Sequence, residues 1–108
     1  MHRLYTYLCG IHARSSQVRA INKTESVERF FDEENVIEER EMLYEFSNGV
    51  TLLCKMESDS FQSDDLCREC WISYEVVHDG GHTVSPRKKQ FYNRCQEAFW
   101  MKMQAEHA

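Results

Sequence analysis

Apolar residues recur at a helical period near the carboxyl end of the chain and at a strand period through its middle. Tyr92, Cys95, Phe99 and Met103 follow one another at spacings of three, four and four, which places them on one helical stripe. Trp100 flanks that stripe on one side, and Phe91 and Ala98 flank it on the other. Ser85-Pro86 sets an N-cap residue before a proline at the first helical position, where the missing N–H costs nothing. No glycine or further proline follows as far as Gln104. The pattern predicts an amphipathic helix running from Pro86 to about Gln104.

Residues 40–57 read as a β-hairpin, because Asn48-Gly49 suits a two-residue type I′ turn. Such a turn sets Phe46 opposite Thr51, Tyr44 opposite Leu53, Met42 opposite Lys55 and Arg40 opposite Glu57, the last as a cross-strand ion pair. On the other face, Leu43 meets Cys54 and Glu41 meets Met56. Trp71 to His78 gives a further strand, with Ile72, Tyr74 and Val76 on one face and Trp71, Ser73, Glu75 and Val77 on the other. Asp79-Gly80-Gly81 ends it, and the polar run Glu57 to Asp65 reads as a loop.

The first forty residues carry weaker signals. Leu4 to Ile11 and Gln17 to Ile21 read as strands. Ser26 either caps a short helix containing Val27, Phe30 and Phe31, or the same stretch is a strand ending in a turn at Glu34-Asn35. Leu4-Tyr5-Thr6-Tyr7-Leu8-Cys9 follows Arg3, but it is too polar for the apolar core of a secretory signal. Together the elements predict an α+β domain spanning 1–108: an antiparallel sheet of three to five strands with the carboxyl helix packed on it.

Composition agrees with a folded chain. Of 108 residues, 42% are hydrophobic and thirteen are aromatic, enough to bury a core without covalent staples. No apolar run approaches the roughly 20 residues needed to span a bilayer, which points away from membrane partners. The five cysteines (Cys9, Cys54, Cys67, Cys70 and Cys95) are odd in number and lack the spacing of a secreted disulfide framework, which suggests a reducing, cytoplasmic setting. Cys54 and Cys95 sit among apolar neighbours and read as free core thiols.

Charge is sorted along the chain. Residues 1–23 carry +4, residues 24–79 carry −12 and residues 80–108 carry +3. Asymmetry of this kind concerns partners more than fold. The acids Glu38, Glu39, Glu41 and Glu45 are strewn too regularly for a catalytic carboxylate pair. On a strand, Glu39, Glu41 and Glu45 share one face, either solvated or matched by a basic partner. Arg87, Lys88 and Lys89 fall in the first turn of the predicted helix, where acids are favoured, and Arg94 and Lys102 lie near Arg87 on the same face. Basic residues at a helix start suit phosphate, nucleic acid or an acidic segment, including the acidic middle of this chain.

Cys67-Arg68-Glu69-Cys70, with His78 and His82 downstream, has the residue types of a zinc site in the spacing C-x2-C-x7-H-x3-H. A strand between Cys70 and His78 would separate them by about 25 Å at roughly 3.3 Å per residue. As a redox pair the same motif is poorly placed, since Asp64-Asp65 beside it raises a thiol pKa. Strands followed by Val76-Val77-His78-Asp79-Gly80-Gly81, then Ser85 and a lysine pair before Ala98, resemble the end of a double-stranded-RNA-binding domain over Trp71 to Phe99. That resemblance implies phosphate contacts from Lys88 and Lys89. The family's Gly-Pro-x-His loop is absent, and Phe91, Tyr92 and Phe99 replace the small residues of its last helix.

Gly-rich phosphate loops, nucleophile elbows and H-E-x-x-H helices are all missing. The sequence therefore points to a non-catalytic regulatory or adaptor protein that binds a macromolecular partner, a protein above all, through Glu38, Glu39, Glu41, Glu45, Arg87, Lys88, Lys89 and Arg94. A nucleic-acid-binding module built on the basic helix start, and a small zinc module built on Cys67 and Cys70, are the alternatives. Oligomeric state is left open.

Overall fold

The computed structural model describes residues 2–12, 18–32, 35–59 and 69–106. In chain order these form a two-residue strand β1 (His2–Arg3), helix α1 (Leu4–Ile11), strands β2 (Ala20–Asp32), β3 (Asn35–Phe46), β4 (Thr51–Asp59) and β5 (Glu69–His78). A two-residue strand β6 (Val84–Ser85), strand β7 (Lys88–Asn93) and helix α2 (Arg94–Glu106) follow. The fold is α+β. One antiparallel sheet has the order β2-β3-β4-β5-β7, and β1 lies parallel to β6 beside it.

Alternation divides the sheet into two unlike faces. Met42, Tyr44 and Phe46 of β3, Leu52 and Cys54 of β4, Ile72, Tyr74 and Val76 of β5, and Phe91 of β7 are buried on one face. Both helices pack there. Tyr7 of α1 meets Phe46 edge-on at 4.9 Å, Trp100 of α2 lies 5.6 Å from Phe91, and Met101 is buried in the same cluster. Arg3 joins the two helices by donating to the carbonyl and side-chain oxygens of Gln104, at 2.8 and 2.7 Å. Among the described residues, no element covers the opposite face.

Several sequence expectations need correction. Leu4–Ile11 is a helix and not a strand, because Leu4, Tyr7, Leu8 and Ile11 fall at i, i+3, i+4 and i+7 and turn one apolar stripe to the core. The hairpin is real, but its register is shifted by one residue. Leu43 faces Leu53, Tyr44 faces Leu52, Met42 faces Cys54 and Glu41 faces Lys55. The loop holds three residues, Ser47-Asn48-Gly49, with Gly49 at φ 92°, as in a type I turn followed by a left-handed residue. The Gly49 N–H donates to the Phe46 carbonyl at 3.0 Å, and Asn48 donates to the Tyr7 hydroxyl at 2.9 Å. Arg40 consequently bonds Glu38 and Glu25 and not Glu57.

The carboxyl helix begins eight residues later than its pattern suggested. Lys88–Asn93 alternates with strand period, Lys89 and Phe91 turning inward while Lys88, Gln90 and Tyr92 turn outward. Asn93 caps α2 by accepting from the Gln96 N–H at 2.7 Å, and the Gln96 side chain accepts from the Tyr92 N–H at 2.7 Å. The buried stripe is Glu97 and Met101, whereas Phe99 is 64% exposed. Cys95 is exposed and disulfide-bonded, not a free core thiol, while Cys9, Cys54 and Cys70 are free and buried. Residues 20–32 take the strand alternative. The turn expected at Glu34-Asn35 and the loop expected from Glu57 to Asp65 are cut back by longer strands. Asn35 already begins β3 and Glu57 to Asp59 end β4, while residues 33–34 and 60–65 lie outside the described residues.

Candidate functional site

Three adjacent strands bring acids into register on the face that the helices leave bare. Glu28 on β2 pairs with Glu39 on β3, Glu39 with Glu57 on β4, and Glu57 with Trp71 on β5. Directly opposed residues of an antiparallel sheet have Cβ atoms about 5 Å apart, and like charges placed so are unfavourable. Among the described residues none of Glu28, Glu39, Glu41 and Glu57 forms an ion pair. Lys55, opposite Glu41, is a basic residue in their midst.

The acidic row ends in aromatic rings. Trp71 is 47% exposed and Tyr92 55% exposed, and their rings meet edge-on at 5.0 Å. Beside Trp71 lies a shallow cavity of about 150 Å³, lined by Glu39, Lys55, Glu57, Trp71, Ser73 and Gln90. Carboxylates beside an exposed indole make a place for an organic cation, which gains from the charge and from the ring face together. The sequence pattern kept these residues apart, with Trp71 on a strand and Tyr92 on a helix. The outward alternation of Trp71, Ser73 and Glu75 was the available signal.

The other anticipated binding residues are distributed differently. Glu39 and Glu41 lie on the bare face. Glu45, which pairs with Asn22 and Thr51, shares their strand parity, and its carboxylate accepts from Asn22 at 3.4 Å. Glu38 turns to the other face, where Arg40 and Arg29 bond it at 2.9 and 3.4 Å. Arg87, Lys88 and Lys89 do not form a helix start, since Arg87 precedes β7 and the two lysines lie on it, and of the four only Arg94 opens a helix. Arg87 pairs with Asp79 at 3.2 Å, Lys88 lies 3.7 Å from Glu75, and Arg94 reaches Glu97 at 3.3 Å. The Lys89 ammonium lies over the Phe91 ring at 5.7 Å. Asp79 is held below the usual carboxylate range by the Gly81 N–H and by Arg87.

The metal-ligand types are not brought together. Cys70 is paired with Ser58 at one end of β5 and His78 with Thr51 at the other. His82 rests against the Asn48 carbonyl at 3.2 Å. Cys67 lies outside the described residues, and no group of three or more metal-ligating side chains occurs among those described.

A second polar cluster sits under α2. Glu97 is 6% exposed and accepts a 2.6 Å hydrogen bond from Tyr74, with Arg94 at 3.3 Å and the His12 ring at 3.9 Å. Burial, with the nearby Glu97 charge, pushes the Cys54 thiol up to about 11, and burial also raises the Tyr74 hydroxyl. The Tyr74–Glu97 bond fastens α2 to the sheet. Position 97 falls on the buried helical stripe, where an acid is readable only once its tyrosine partner is known. No family model matches the chain, and neither a curated protein nor a solved structure matches it.

Proposed function

We propose that the protein is a non-catalytic binding module of regulatory or adaptor type, whose bare sheet face receives a basic protein segment. The observation that carries this reading is the row Glu28, Glu39, Glu57 and Trp71, in which carboxylates without an ion-pair partner among the described residues stand opposite one another and lead to an exposed ring pair beside a cavity. Such a row opposes sheet stability, and local rules broken without internal compensation mark functional surfaces. A lysine or arginine side chain supplies the missing charge, and Trp71 supplies the contact area typical of interface anchors.

Nucleic acid is the weaker reading, because Arg87, Lys88 and Arg94 each have an acid of the same chain as partner. The zinc reading draws no support from the placement of Cys70 and His78. No helix among the described residues is long and apolar enough to cross a membrane. The free thiols of Cys9, Cys54 and Cys70 favour a cytoplasmic setting, and the Cys95 disulfide is the observation that stands against it.

The test is titration of the protein with an arginine- and lysine-rich peptide and with duplex RNA, at two salt concentrations. The expected result is salt-sensitive peptide binding, no RNA binding, and an affinity reduced about tenfold or more by Trp71→Ala or Glu57→Lys. Peptide affinity indifferent to both substitutions, or RNA binding alone, overturns the proposal.

A further inference from the structure

Strand β2 forms one edge of the sheet, and among the described residues its outer side pairs with nothing. It is thirteen residues long and proline-free. Every residue from Ile21 to Phe31 is exposed, including Ile21, Val27, Phe30 and Phe31 at 64, 42, 42 and 82%. A long edge with exposed apolar side chains is a template for another strand, and natural proteins blunt or cover such edges. β2 carries a bulge near Ala20 and Asn22 but none along Lys23 to Asp32.

We propose that β2 pairs antiparallel with β2 of a second copy of this chain, about a two-fold axis normal to the sheet at Val27. Such an axis keeps each face of the sheet on its own side, so residues pair only within one parity. Among the registers centred on Ser26, Val27 and Glu28, which keep most of the strand in the ladder, the charge pattern selects Val27. Centred on Val27, Glu25 lies opposite Arg29 twice, Lys23 lies opposite Phe31 twice and Val27 meets its own copy. Centred on Ser26, Lys23 would oppose Arg29; centred on Glu28, that acid would oppose itself. Like charges directly across a ladder are destabilising. Within one chain Glu25 lies near Lys23 and Arg40, and Arg29 near Glu38, but these pairs are exposed and weak, so they leave both residues free to serve the partner strand. The product is one continuous ten-stranded sheet, with the ladder supplied by main-chain hydrogen bonds.

This inference is independent of the bare-face reading and is tested apart from it, by native mass spectrometry and sedimentation equilibrium over a concentration series. The wild-type chain is expected to dimerise. Glu25→Arg sets two bases across the ladder from each other, and Arg29→Glu sets two acids there, so each variant alone should dissociate about tenfold more readily. An equimolar mixture of the two should recover as a heterodimer, and the double variant E25R/R29E should recover as a homodimer. Trp71→Ala should leave the dimer intact. Far-UV circular dichroism checks that each chain is folded, and the double variant keeps the test open if one single variant is not. A wild-type chain that stays monomeric throughout, or a dimer unaffected by the single variants, overturns the proposal.

Discussion

Tyr74 and Glu97 meet across the core at 2.6 Å, a hydrogen bond to a charged acceptor shielded from water. Bonds of that kind contribute about 1.5–3 kcal/mol, and a buried partner left unsatisfied adds a desolvation cost. Tyr74→Phe is therefore expected to lower unfolding stability by about 2 kcal/mol in urea titration. Glu97→Gln, which keeps an acceptor, should cost less. Cys54 gives the pH dependence. Its thiol ordinarily titrates near 9.0 and is raised to about 11 in the fold, so the protonated, native-favouring form persists to higher pH than in the unfolded chain. Its contribution is complete below about pH 9 and is lost as pH climbs through 11, a loss of roughly 2–3 kcal/mol. The raised Tyr74 hydroxyl acts in the same direction. Denaturation curves from about pH 8 to about 11.5 should fall accordingly, and Cys54→Ala should flatten the fall.

At the scale of elements, the two turns at one end of the sheet lean on each other. A Cβ on Gly80 would stand 2.8 Å from the Gly49 carbonyl carbon and oxygen, whereas one on Gly81 would meet nothing within 4 Å. Both glycines have positive φ, so both alanine variants carry conformational strain. Only Gly80→Ala adds a backbone collision, and it should be less stable than Gly81→Ala by about 1–3 kcal/mol in thermal or urea unfolding. The middle strands could be read from alternation alone, because Tyr44, Leu52, Ile72 and Tyr74 recur on one side of the chain at strand period. Register was harder, since a two-residue and a three-residue loop both suit Asn48-Gly49. The tether from Asn48 to Tyr7 is invisible in a local window. Residues 88–93 satisfied both periods at once, and Asn93-x-x-Gln96 held the information about where the helix starts. Leu4–Ile11 fitted the helical template as written, and its tyrosines and threonine disguised it as a strand.

Across the whole molecule, the sorted charges are reconciled by the sheet order. Bases of the carboxyl block reach acids of the middle block through β5 and β7, which leaves the surplus of carboxylate on β2, β3 and β4. Alternation along β3 was enough to group Glu39 and Glu41. Their continuation into Glu57, Trp71 and Tyr92 depended on which strands are neighbours, and no local signal encodes that. Because Glu28, Glu39 and Glu57 repel one another, Glu39→Gln should raise stability by about 0.2–1 kcal/mol while weakening the binding of a basic peptide. Opposite signs in the two measurements would identify a surface kept for its use rather than for the fold.

Neighbouring strands of the five-stranded sheet succeed one another along the chain, and that order sets a schedule for assembly. Each ladder closes a loop to the preceding strand of the same sheet, so the sheet grows by short steps with small closure entropy. Helix α1 and the Arg3–Gln104 contact, which spans 101 positions, join the two ends of that sequence of events. They can form only after β3 and α2 exist to receive them. The same contacts should open first under native conditions. In hydrogen exchange, amides of α1 should lose protection by partial opening, ahead of the central strands β3, β4 and β5, whose exchange should track global unfolding.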